Sequence, residues 1–237
     1  MRFQPSTVLL AMTLSLAPVG LSFASGGGSM PSGGSMGAMQ PAPRTPEDIA
    51  ESAYNSGVRT IKSAKEYDSD AAKTDNDAKK SKLLGKAQKA YARALDQFSQ
   101  ALAQQPGMYQ AWNYLGFAKR HLGHYDEALS AYAKALALKP DYAEALEYRA
   151  EAYLGLNQID AAKDAYMTLF RDARPLSDEL LGAMQRWVNV RRAQAQGDSK
   201  DIASADLDAF SNWLEERAKL ATQTVSLAVG AAPHTWP

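Results

Sequence analysis

The chain has no cysteine among its 237 residues. That absence excludes disulfides, thiolate metal ligands, a cysteine nucleophile and a lipid anchor attached through cysteine. Only three histidines occur. Two of them, His121 and His124, are three residues apart, but no third ligand accompanies them to complete a metal site. No glycine-rich phosphate loop follows a strand, and no alternating apolar pattern marks a strand at all. Nucleophile, base and oxyanion donor cannot be assembled, so the chain reads as non-catalytic, with no metal and no cofactor. An excess of either charge is lacking too, since 26 Lys and Arg balance 26 Asp and Glu. No global field draws nucleic acid or an acidic substrate, and an electrostatic partner must be sought through a local patch.

No apolar run reaches the ~20 residues of a bilayer span. The longest, from Val8 to about Ala24, follows Arg2 and is interrupted by Pro18 and Gly20. It resembles a secretory signal peptide, with Ser22 and Ala24 as small residues before a cleavage site after Ala24. Residues 1–24 are therefore expected to direct export, with a bacterial periplasm as the destination; an uncleaved anchor is the alternative. Residues 25–44 are rich in Gly, Ser, Met and Pro and read as a flexible tether. Met30, Met36 and Met39 within it could be soft copper ligands, but no His or Cys joins them.

Helical signals begin at Thr45, with Pro46 at the first helical position and Glu47 and Asp48 facing the positive end of the dipole. The most complete pattern covers 109–142. Trp112, Leu115 and Gly116 fall on one helix, Ala128, Tyr132 and Ala135 on the next, and Pro140 closes the unit. This spacing resembles the tetratricopeptide repeat, departing from it at Lys119, where the family has tyrosine. The resemblance implies an all-α solenoid of antiparallel helix pairs whose first helices line a concave, partner-binding face.

The same register organises the flanks. Ala94, Phe98, Ala101 and Pro106 repeat Ala128, Tyr132, Ala135 and Pro140 at an offset of 34 residues, making 45–108 a diverged first repeat. Gly116 precedes Ala128 by 12 residues whereas Gly57 precedes Ala94 by 37, so 25 residues are inserted between its helices. The polar run Asp68 to Asp77 opens the insertion and reads as a solvated loop. Residues 143–175 form a weaker repeat, with Asp141 and Glu144 as an acidic capping box and Pro175 as its break. Two further helices in 176–229, the first capped by Ser177 and ended by Gly197-Asp198, read as a terminal cap, and 230–237 as a loose tail.

Transferring the family geometry selects a groove stripe of Asn113, Phe117, Arg120 and His121, continued by Glu144, Glu147 and Glu151 in the next repeat. With Tyr54, Val58 and Ile61, the groove would run from apolar through mixed to acidic and suit a protein or peptide segment with an apolar anchor and a cationic stretch. The bland alternative is an ordinary solvated acidic face. A second patch, Lys79, Lys82, Lys86, Lys89 and Arg93, forms a basic stripe that could attach the protein peripherally to an anionic envelope surface; equally, it is the wet side of a long helix. No aromatic interleaving supports nucleic acid as a partner. Nothing in the sequence fixes the oligomeric state.

Overall fold

The computed structural model describes residues 44–195 and 204–230, with side chains to 194 and from 204 to 222. The signal-like segment, the tether, Gly197-Asp198 and the tail from 231 lie outside the described residues. Eight helices and no strand occur among those described. They are α1 (Pro46–Ala72), α2 (Asp77–Gln104), α3 (Tyr109–His121), α4 (Tyr125–Leu138), α5 (Ala143–Gly155), α6 (Ile159–Asp172), α7 (Arg174–Ala195) and α8 (Ser204–Gly230). The sequence pattern and the fold agree that this is an all-α helical-repeat architecture.

Consecutive helices pack as pairs, α1 on α2, α3 on α4, α5 on α6 and α7 on α8. The first helices also touch in series, α1 to α3, α3 to α5 and α5 to α7. Among the described residues no comparable line joins α2, α4 and α6, so the stack closes toward the first helices and that side is concave. Small residues let the pairs approach closely. Ala94, Ala101, Ala128, Ala135, Ala150 and Ala162 are all fully buried. A Cβ added to Gly116 would stand 2.6 Å from Tyr132, and one added to Gly57 would stand 2.6 Å from Phe98. These two contacts are the same contact in two repeats, and they place Gly57 in the register of Gly116.

The first pair departs from the expected loop. The inserted residues lengthen both helices, giving 27 residues in α1 and 28 in α2 against 13 and 14 in the next pair. Asp68 to Ala72 complete the last turns of α1, leaving only Lys73 to Asn76 as the connection. Ala64, Ala71, Ala87 and Ala90 are buried along this extension, so a seam of alanines holds it together although its outer surface is polar. Thr45 caps α1 with a reciprocal capping box to Asp48, and Asn76 caps α2 through the Lys79 amide.

Two further expectations need correction. The acidic capping box at Asp141 and Glu144 does not form: Tyr142 is the N-cap of α5 and gives no side-chain cap. Helix α7 starts at Arg174 rather than at Ser177, because Pro175 occupies its second position, where a missing N–H is tolerated. Ser177 is instead fully buried inside the helix, its hydroxyl donating to the Arg174 carbonyl at 2.7 Å.

The turns repeat as well as the helices. Gly123 (φ 82°) and Asn157 (φ 60°) both adopt the left-handed conformation, 34 residues apart, where the chain reverses between the helices of a pair. Glycine and asparagine are the residues that enter this region at least cost.

Candidate peptide-binding groove

The first helices place their side chains in a continuous cleft. At its α1 end lies a cavity of about 380 Å³ whose apolar wall is Val58, Ile61, Tyr114, Phe117 and Tyr148. Adjoining it through Phe117 and Tyr148 is a cavity of about 440 Å³ reached by α1, α2, α3, α5 and α7. A third, of about 540 Å³, continues along α5 and α7 past Gly155 and Trp187.

Phe117 is buried and forms the hinge between the first two cavities, its ring 5.0 Å from Tyr148 and 4.4 Å from His121. Arg120 lies over both Phe117 and Tyr148 and makes an ion pair with Glu151, which joins α3 to α5. Its Nε is buried without a hydrogen-bond partner. His121 stacks on Tyr91 at 4.5 Å, with Nδ1 3.9 Å from the Asp68 carboxylate. Burial, together with the positive charges of Arg120 and Lys65, pushes its pKa down to about 3, so the imidazole is neutral. Tyr91 in turn donates to Asp68 at 2.7 Å; burial and that carboxylate hold its phenol protonated.

The acidic stripe separates into three environments. Glu144 is exposed. Glu151 is committed to Arg120. Glu147 is only 4% exposed and makes neither a hydrogen bond nor an ion pair among the described residues. Burial, then the neighbouring Glu151 and Glu179, push its pKa up to about 7, against the lowering influence of Arg120. The bland reading of these glutamates as one solvated face therefore fails for Glu147 and Glu151. Asn113, expected in the groove, is 1% exposed and turns its Nδ2 toward the Tyr142 hydroxyl at 3.5 Å, leaving Oδ1 without a partner. It is set between helices rather than offered to a ligand.

The structure thus brings Phe117, Arg120, His121, Glu147 and Glu151 around one cavity. It adds Lys65, Asp68, Tyr91, Tyr148, Glu179 and Arg186, which the stripe did not contain. Lys65, Asp68 and Tyr91 come from the inserted hairpin and its base, which carry no family pattern. A signal for α7 did exist: Glu179, Ala183, Arg186 and Val190 advance by four, three and four residues, the same one-face spacing as the stripes of α3 and α5.

The basic stripe lies elsewhere. Lys79, Lys82, Lys86, Lys89 and Arg93 are all exposed on α2 and form no ion pair among the described residues. Lys86 covers the Tyr67 ring at 5.3 Å. His121 and His124 face different carboxylates, Asp68 and Glu127, and no group of three potential metal-ligating side chains is found among the described residues.

Residues 109–142, which are α3, α4 and the turns closing them, match the tetratricopeptide repeat family model. These residues form a tetratricopeptide repeat. A search of curated proteins returned no match. The tetratricopeptide repeat places the described cleft on the side where stacked first helices leave a concave face, and repeats of this kind mediate protein–protein interactions, which supports a scaffold or adaptor role. Lys119, at the family's tyrosine position, pairs with Glu127 at 2.6 Å and so ties α3 to α4 by charge in place of a ring. No described helix is long and apolar enough to cross a membrane.

Proposed function

We propose that this protein is a non-catalytic adaptor of the cell envelope that holds a segment of a partner protein along the concave face of its repeats. The observation that carries the reading is the cleft itself, in which α1, α3, α5 and α7 each contribute side chains to adjoining cavities. An apolar compartment followed by a charged one suits a segment with an apolar anchor and a charged continuation. The signal-like segment at 1–24 and the absence of cysteine support export. The lack of an assembled nucleophile and base supports a non-catalytic role.

The test is selection of peptides from a random display library, followed by anisotropy titration against wild type, Val58→Asp and Lys82→Glu. Val58→Asp places a charge in the apolar compartment and should weaken binding at least about tenfold. Lys82→Glu, on the outer face, should leave binding unchanged. The reverse pattern would remove the groove from the reading.

A second reading rests on the basic stripe, because its five cations stay exposed and without ion pairs among the described residues. It places α2 against an anionic envelope surface. Co-sedimentation with phosphatidylglycerol vesicles should then occur at low salt, disappear at high salt and be lost in a Lys82→Glu, Lys86→Glu variant. Absence of co-sedimentation at low salt would dispose of it.

A further inference from the structure

Glu147 sits in the wall of the 440 Å³ cavity with 4% of its surface exposed and no partner among the described residues. A buried carboxylate without a counter-charge is unfavourable, and an apolar residue there would pack without that cost. The charges acting on it are predominantly negative. Glu151, Glu179 and Glu144 face it against the single guanidinium of Arg120, which Glu151 already engages. The neighbouring imidazole of His121 supplies no positive charge, since it is neutral. Lys65 and Arg186 line the same cavity but are exposed and do not pair with Glu147. Aromatic faces of Phe117, Tyr148 and Tyr91 complete the walls, and such faces attract cations.

Resting on the groove reading above, we propose that this cavity is a socket for one cationic side chain of the bound partner segment, a lysine ammonium or an arginine guanidinium, with Glu147 as its counter-ion. The volume lies within the range of pockets that enclose a ligand group. An anion in the same place would meet Glu147 head on. A bound metal would need ligands that the cavity does not assemble, because no suitable group of three exists among the described residues. The cation enters beside Glu179 at the rim and displaces the proton that burial leaves on Glu147 at mildly acidic pH.

The experiment uses the full chain and three probes: N-acetyl-lysine amide, N-acetyl-arginine amide and the neutral N-acetyl-norleucine amide. Amide NMR titrations are recorded at pH 8 and pH 5 on wild type, Glu147→Gln and Glu179→Gln. At pH 8 a cationic probe should shift amides of α3, α5 and α7 saturably, and norleucine amide should not. Glu147→Gln should weaken the cation at least about tenfold. The wild-type affinity should fall more than about tenfold on going to pH 5, because the charged form of Glu147 is then a small fraction. The variant should lose that pH dependence.

Other charged or titratable groups face the cavity: Lys65 and Asp68 from α1, Tyr91 from α2, Arg120 and His121 from α3. Tyr148 and Glu151 join from α5, and Glu179 and Arg186 from α7, while the exposed Glu144 acts on Glu147 from outside the lining. Any pH dependence they contribute persists in Glu147→Gln, so only its loss there assigns it to Glu147. Glu179→Gln should weaken binding less, since this carboxylate stays at the exposed rim. Equal binding of norleucine amide, or of the cations to Glu147→Gln, overturns the socket. A library-selected peptide that binds Glu147→Gln as well as wild type overturns the socket while leaving the groove. Failure of the groove alone is distinguishable, since peptides would then ignore Val58→Asp while the lysine probe still depended on Glu147.

Discussion

Glu147 and His121 lie within one cavity and give the fold opposite responses to pH. In the unfolded chain the Glu147 carboxyl ionises near its ordinary 4.5, whereas in the fold it holds its proton to about 7. Its contribution to stability is therefore fully present below 4.5 and is lost as pH rises through 7, a change of about 3 kcal/mol. His121 runs the other way. Its ordinary value of 6.5 falls to about 3 in the fold, so the unfolded chain gains a proton first and stability is lost as pH falls from 6.5 toward 3. Glu147→Gln should consequently be more stable than wild type by about 1–3 kcal/mol at pH 8 and nearly equal to it at pH 4.5. Urea unfolding at the two values checks this. An equal gain at both would mean that the benefit comes from packing rather than from the charge. The stripe spacing made these residues legible as neighbours on one side of the stack, but it could not show that Glu147 is buried and Glu144 is not. Glu147 lines a cavity shared with Arg120 of α3 and with Glu179 and Arg186 of α7, neighbours that lie far apart in the chain.

The helix pair is the unit in which the register becomes a physical contact. Gly57 meets Phe98, and Gly116 meets Tyr132, at a separation that leaves no room for a methyl group. The ring on each opposing helix is fully buried and has little space in which to yield. Gly57→Ala and Gly116→Ala should each cost about 1–3 kcal/mol through overpacking, which outweighs the gain in helix propensity. Gly85 supplies the contrast, since it lies inside α2 with nothing within 4 Å of an added Cβ. Gly85→Ala should therefore stabilise by about 0.5–1 kcal/mol. Thermal unfolding of the three variants checks both signs together, and tolerance of Gly57→Ala would separate the first pair from the repeat register. That register was readable because small and aromatic residues recur at fixed offsets. The form of the insertion was not, because Asp68 to Ala72 are polar enough for a loop. They are helical because the alanine seam carried by Ala64, Ala71, Ala87 and Ala90 extends to the end of the hairpin.

In the whole described stack, α7 serves two purposes at once. Leu180, Met184 and Val188 share one buried core with Leu154, Tyr166 and Leu169, and with Phe210 and Leu214 of α8. The opposite edge of α7 carries Glu179 and Arg186 into the cavity around Glu147. A terminal repeat has no following neighbour, so without α7 and α8 the apolar face of α5 and α6 would meet water. Their sequence showed a cap through its apolar periodicity, but the contribution of α7 to the groove depends on its rotation against α5, which a helix read alone does not specify. A chain ending after Asp172 should lose much more than the helicity of the two missing elements. Leu154 and Leu169 alone would each forfeit about 1.5–3 kcal/mol of burial, a large share of ordinary domain stability. The truncated protein should accordingly unfold at a lower urea concentration and associate through its new apolar face, seen as higher-mass species by light scattering. A monomeric product with the parent midpoint would instead make α7 and α8 an appendage, and a preserved high pKa at Glu147 in that product would show that α7 does not close the cavity.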